Sequence, residues 1–165
     1  DSVLSISQHV SSSRLLVCDP SQRHAVSNLN TIGTPKNSFA PTVLICPEDR
    51  CIEFFEKLVR SPLGLLLATP QSHVREYLAP ILRPDGRICF LTIYEDSDLH
   101  ILNLCESLSQ YHERPPLLLA TPFQQSNGQM IDRPSEAVHW MIGTDAQAMI
   151  MGNAWITPRL QTYSR

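Results

Sequence analysis

Short, wholly apolar runs punctuate the chain, and four of them end at a proline or at a polar residue followed by one. Arg14-Leu15-Leu16-Val17-Cys18 leads into Asp19-Pro20, and Thr42-Val43-Leu44-Ile45-Cys46 leads into Pro47-Glu48-Asp49. Residues 63–68 run into Thr69-Pro70, and residues 117–120 into Thr121-Pro122. Four to six consecutive apolar residues fit a strand buried on both faces. Proline lacks the N–H that a strand ladder needs but suits the first turn of a helix, and Asp19, Thr69 and Thr121 are good helix-capping types. Glu48 and Asp49 suit the positive end of a helix that starts there.

Helical spacing follows each junction but the last. Ile52, Phe55, Leu58 and Val59 predict a helix over 48–60, and Val74, Leu78, Ile81 and Leu82 one over 71–82. Val26, Leu29 and Ile32 support a first helix over 20–32. Pro84-Asp85-Gly86 ends the third helix, residues 87–94 read as a strand, and Asp96 or Ser97 caps a helix lined by Leu99, Leu102, Leu104 and Leu108. Beyond Pro122, residues 124–134 are polar and turn-like, and residues 137–142 and 148–151 around Gly143-Thr144-Asp145 predict a closing hairpin. Alternating strands and helices imply parallel pairing with right-handed crossovers. The expected fold is therefore α/β, a Rossmann-like or flavodoxin-like doubly wound, mostly parallel sheet with a C-terminal antiparallel hairpin or edge strands. A serine-rich flexible lead-in (1–13), one domain (14–156) and a loose tail (157–165) complete the expected organisation. The segment LLLATP occurs at 65–70 and again at 117–122, and is read as repeated strand punctuation, not duplication.

Composition narrows the function classes. Charged residues make up 18% of the chain, below the roughly 25% usual for soluble proteins, which suggests that a partner covers part of the surface. A net charge of -3 with only two lysines, Lys36 and Lys57, argues against a nucleic-acid partner. No apolar run approaches the ~20 residues of a membrane span, so no membrane insertion is expected. Five cysteines, mostly inside apolar runs, read as free buried thiols in a reducing, cytoplasmic setting. The first residue is Asp1 rather than Met, and a larger parent protein is expected.

In an open parallel sheet, ligands sit beyond the carboxyl ends of the strands. The candidate crevice there comprises Asp19, Cys46, Thr69, Glu95, Asp96 and Thr121, all of which also read simply as caps. The turn after the first strand, Cys18-Asp19-Pro20-Ser21, has no glycine with which to approach a pyrophosphate, and no glycine–lysine phosphate loop occurs, so no cofactor is expected. No metal-binding spacing of His and Cys occurs either, so no metal is expected. Cys46 is the best lone nucleophile, with His9, His24, His73, His100, His112 or His139 as possible bases, but adjacent Glu48 and Asp49 disfavour its thiolate. Met130, Trp140, Met149, Met151 and Trp155, with Met141, form a candidate interaction surface, since methionine and large aromatics suit recognition as well as cores.

Residues 76–91 (EYLAPILRPDGRICFL) resemble the late helix–turn–strand step of Rossmann-like methyltransferases, although the glycine-rich loop of that family is absent. Asp19 and Thr69 are similar to positions of the phospho-receiver domain, but Cys46 stands where its acceptor Asp belongs, and Ile93-Tyr94-Glu95 occupies the junction of its Lys. These readings together predict a non-catalytic regulatory or assembly module, a degenerate receiver-like or Rossmann-like domain. It would act through contacts with a protein partner or with other domains of its parent chain. The alternative is a small-molecule transferase of methyltransferase-like fold with an atypical nucleotide loop.

Overall fold

The computed structural model describes residues 14–33, 42–57, 60–94, 99–125 and 129–158. The lead-in 1–13, His9, most of the tail, Leu58, Val59, Glu95 and Asp96 lie outside the described residues. In chain order the elements are β1 (Leu15–Cys18), α1 (Arg23–Gly33), β2 (Val43–Pro47), a single turn α2 (Cys51–Phe54) and β3 (Leu66–Ala68). There follow β4 (Ile88–Ile93), α3 (Leu99–His112), β5 (Leu118–Pro122), α4 (Pro134–Ile142), β6 (Met149–Met151) and β7 (Ala154–Ile156).

The α/β character holds, but the sheet is mixed and not mostly parallel. Its order is β1-β5-β2-β4-β3, and only β2–β4 is parallel; β1–β5, β2–β5 and β3–β4 are antiparallel. The apolar runs reveal burial on both faces and say nothing of direction. β5 inserts between β1 and β2, reversing the sense of pairing on both of its sides.

Period-two alternation covers both faces. Val43, Ile45, Leu91, Ile93, Leu118 and Ala120 face Cys105 and the apolar side of α3, with Leu102, Leu104 and Leu108. On the other face Leu44, Cys46, Phe90 and Leu117 meet Phe54, Phe55, Val74 and Leu78, and Leu119 meets Val26 and Leu29 of α1. The Phe55 and Phe90 rings lie 4.7 Å apart at its centre.

Two predicted helices are shorter than expected. The segment from Glu48 makes one 3-10 turn and then α2, which stops where Phe55 becomes extended and bridges Pro70. The segment from Gln71 forms two 3-10 turns, Ser72–Val74 and Ala79–Ile81. Pro80 has no N–H to give to Glu76, so no α-helix can run through it. Thr69 consequently caps nothing: its carbonyl accepts from Glu56 N–H at 3.0 Å, and the 3-10 turn that follows starts from Gln71. Thr121-Pro122 opens no helix either; β5 includes Pro122, and the chain continues extended to Gln124.

The closing region also differs. The first arm of the expected hairpin is instead α4, which opens with Pro134 at its first turn and Glu136 beside the helix's positive end. Ala137 and Met141, four apart, are its buried positions. The antiparallel hairpin lies further on, as β6–β7, with Ile150 opposite Trp155. Gly152, at φ 57°, takes the first place of its two-residue turn, where the twist of the strands favours positive φ.

Candidate functional site

Strand direction divides the expected crevice. β1, β2 and β4 run one way, so Asp19 and Cys46 lie at the same edge of the sheet; β3 and β5 run the other way and carry Thr69 and Thr121 to the opposite edge. The four described residues therefore do not form one site, because a mixed sheet has no single carboxyl edge.

At the first edge the polar groups are satisfied. Asp19 Oδ1 accepts from Ser21 N–H at 2.9 Å, from Ser21 Oγ at 2.7 Å and from the Tyr77 hydroxyl at 2.9 Å, and Oδ2 pairs with the Arg114 guanidinium. Burial works against ionisation of Asp19, but the Ser21 donors, Tyr77 and Arg114 outweigh it and hold its carboxyl below the usual range. The Tyr77 phenol is pushed up, by burial and by donating to Asp19. This network ties the end of β1 to the segment after α3 and to the turn before residue 79. Nothing in the sequence separates Tyr77 and Arg114 from other surface residues as its members.

Cys46, the candidate nucleophile, is fully buried, with its sulfur 3.3 Å from that of Cys51. Its thiol is held up by the Cys51 contact and by burial, and the five described histidines, His24, His73, His100, His112 and His139, are exposed. Cys46 is thus not prepared as a thiolate; the same contact holds the Cys51 thiol below its ordinary value, against burial and the nearby Glu48 and Asp49. Among the described residues no group of three His, Cys, Asp or Glu could hold a metal ion.

The exit of β5 is different. Thr121 is 0% exposed, opposite Leu16 of β1, and Gln124 is 6% exposed. Thr121 Oγ1 and Gln124 Oε1 have no hydrogen-bond partner among the described residues. The backbone around them is well paired: Phe123 N–H donates to Arg14 O, Ile131 N–H to Phe123 O, and Gln124 bridges Met130. Phe123 anchors the segment in an apolar cluster with Ile131, Ala137, Trp140, Met149 and Met151, with the Trp140 ring edge-on at 4.7 Å. Most of the residues expected to recognise a partner thus close the core around this segment. Trp155 stays 69% exposed, beside Ile150 at 63%.

Two buried oxygens without a protein partner thus lie within four residues, each costing about 1–3 kcal/mol unless a ligand or ordered water supplies one. A hydroxyl can donate and accept, and the amide oxygen only accepts. Thr121 is legible from sequence as a strand-end residue, whereas Gln124 reads there as part of a polar turn.

A family model described as carbamoyltransferase C-terminus matches residues 11–158 of the 165. The chain belongs to the carbamoyltransferase C-terminus family. No curated protein matches it. The family overturns the expectation of a non-catalytic, pseudo-receiver regulatory module, and with it the methyltransferase-like alternative. That expectation rests on the absence of the common catalytic motifs, which carries no weight in a family named for an enzyme. Among the described residues no helix is long and apolar enough to cross a membrane.

Proposed function

We propose that the chain serves carbamoyl transfer, with Thr121 and Gln124 at the β5 exit receiving the carbamoyl group. Membership of the carbamoyltransferase C-terminus family over residues 11–158 carries the reading. The orphaned oxygens support the placement: a carbamoyl group is an amide with two N–H donors and one carbonyl, and Gln124 Oε1 can accept while the Thr121 hydroxyl can donate or accept. The backbone pairing and the Phe123–Trp140 contact supply rigidity, as a site needs for its polar groups to be held in place. The exposed cross-strand pair Ile150–Trp155 is the surface by which this part meets the rest of the same enzyme, and the free cysteines fit a cytoplasmic setting.

Radiolabelled carbamoyl phosphate, the simplest activated carbamoyl donor, provides the test. The parent enzyme should move label to an acceptor, and Gln124→Leu should lower kcat/KM roughly 5- to 150-fold, the loss of about 1–3 kcal/mol from an unmade hydrogen bond. Unchanged transfer by the variant would remove Gln124 from the site.

A further inference from the structure

We propose that Cys46 and Cys51 are an oxidation site, closing to an intramolecular disulfide when the chain meets a hydroperoxide. β2 carries Cys46 into the core face, and the 3-10 turn Glu48–Arg50 folds the chain back so that Cys51 opens α2 directly against it. The sulfurs stand 3.3 Å apart, and each also lies 3.4 Å from the Pro47 carbonyl oxygen. A disulfide needs about 2.05 Å between sulfurs. Closure therefore asks for an approach of little more than 1 Å, within one short turn. Both residues are free thiols and almost wholly buried, at 0% and 1% exposure. A small uncharged peroxide is thus the fitting oxidant, and charged or bulky disulfides are not.

The chemistry balances. The Cys51 sulfur, in contact with Cys46, attacks the peroxide ROOH and gives up its thiol proton; the O–O bond breaks, and ROH leaves with that proton and a sulfenic acid on Cys51. The second sulfur displaces the sulfenic hydroxyl, which leaves as water carrying the second thiol proton. Two thiols are oxidised by two electrons in all, and one hydroperoxide is reduced. The remaining cysteines have other surroundings: Cys89 donates to the Gly64 carbonyl at 2.9 Å, Cys105 sits on α3 against the opposite face of the sheet, and Cys18 is half-buried on β1.

Trypsin separates the two partners, because it cuts after Lys36, Arg50 and Lys57 and so puts Cys46 in peptide 37–50 and Cys51 in peptide 51–57. The folded chain is treated with hydrogen peroxide, alkylated, digested and analysed by mass spectrometry. The expected product is the two peptides joined, about 2 Da below their summed mass and separable by dithiothreitol. Cys18, Cys89 and Cys105 should remain alkylatable. Either peptide recovered alkylated, as a sulfonic acid, or joined to another cysteine's peptide as the main product would overturn the proposal. Cys46→Ser and Cys51→Ser should each abolish the joined product, and the wild-type digest decides the matter even if neither variant folds.

Discussion

The two ends of β5 solve the same problem in opposite ways. Near its start, Asp19 is a mostly buried carboxylate with donors on both oxygens, from Ser21, Tyr77 and Arg114. At its end, Thr121 Oγ1 and Gln124 Oε1 are more deeply buried and have no hydrogen-bond partner among the described residues. A charged group in the first place is stabilised by its network, and two neutral groups in the second are left to cost stability. Burial of a polar residue is thus no guide to its role. Whether the fold satisfies it is what distinguishes Asp19 from the Thr121 and Gln124 oxygens.

The largest effect is expected from the core on which the whole sheet depends. Phe90→Ala removes a fully buried ring packed against Phe55, and should cost about 3–5 kcal/mol by urea unfolding. Next comes Asp19→Asn, expected to cost about 1–3 kcal/mol at pH 7, toward the lower figure because Arg114 is 44% exposed and can turn to water. Its pH dependence sharpens the contrast. The folded carboxyl is held below its unfolded value, so its contribution is whole above about pH 4 and is lost as pH falls through the folded value. The gap in urea midpoint between wild type and Asp19→Asn should therefore narrow below about pH 4, and a gap that is constant with pH would deny Asp19 its charge-dependent role. The smallest effect is expected at the other end. Gln124→Leu and Thr121→Val replace orphaned polar atoms with apolar ones of similar shape, and should leave stability within about 0.5 kcal/mol of wild type or raise it.

Strand positions are legible in the sequence because a short, continuous apolar run bounded by turn residues fits a buried strand better than it fits an amphipathic helix. Four of the five sheet strands fall within a residue or two of their runs. Direction is not legible, since a strand buried on both faces looks alike whichever way its neighbours run. The weakest strand shows the limit. Leu65 and Leu66 are about half exposed, because β3 is an edge strand of three residues and not the buried strand its six apolar residues predict. Proline is an ambiguous helix start: Pro70 and Pro122 continue extended backbone, while Pro134, at the end of a polar, turn-like stretch, does open a helix. Of the candidate site, Thr121 is visible as a strand-end residue. Gln124 is not, since one glutamine in a polar stretch gives no signal until the backbone pairing around it is known.

The central claim, that the β5 exit keeps its hydrogen bonds for a carbamoyl group, is tested most directly by thermal unfolding with and without carbamoyl phosphate. Wild type and the Thr121→Val/Gln124→Leu double variant would be compared at equal ligand concentration. A ligand that binds only the native state must raise the melting temperature. The account predicts a rise for wild type and none for the double variant. An equal rise in both would place the ligand elsewhere, and no rise in either would contradict the site.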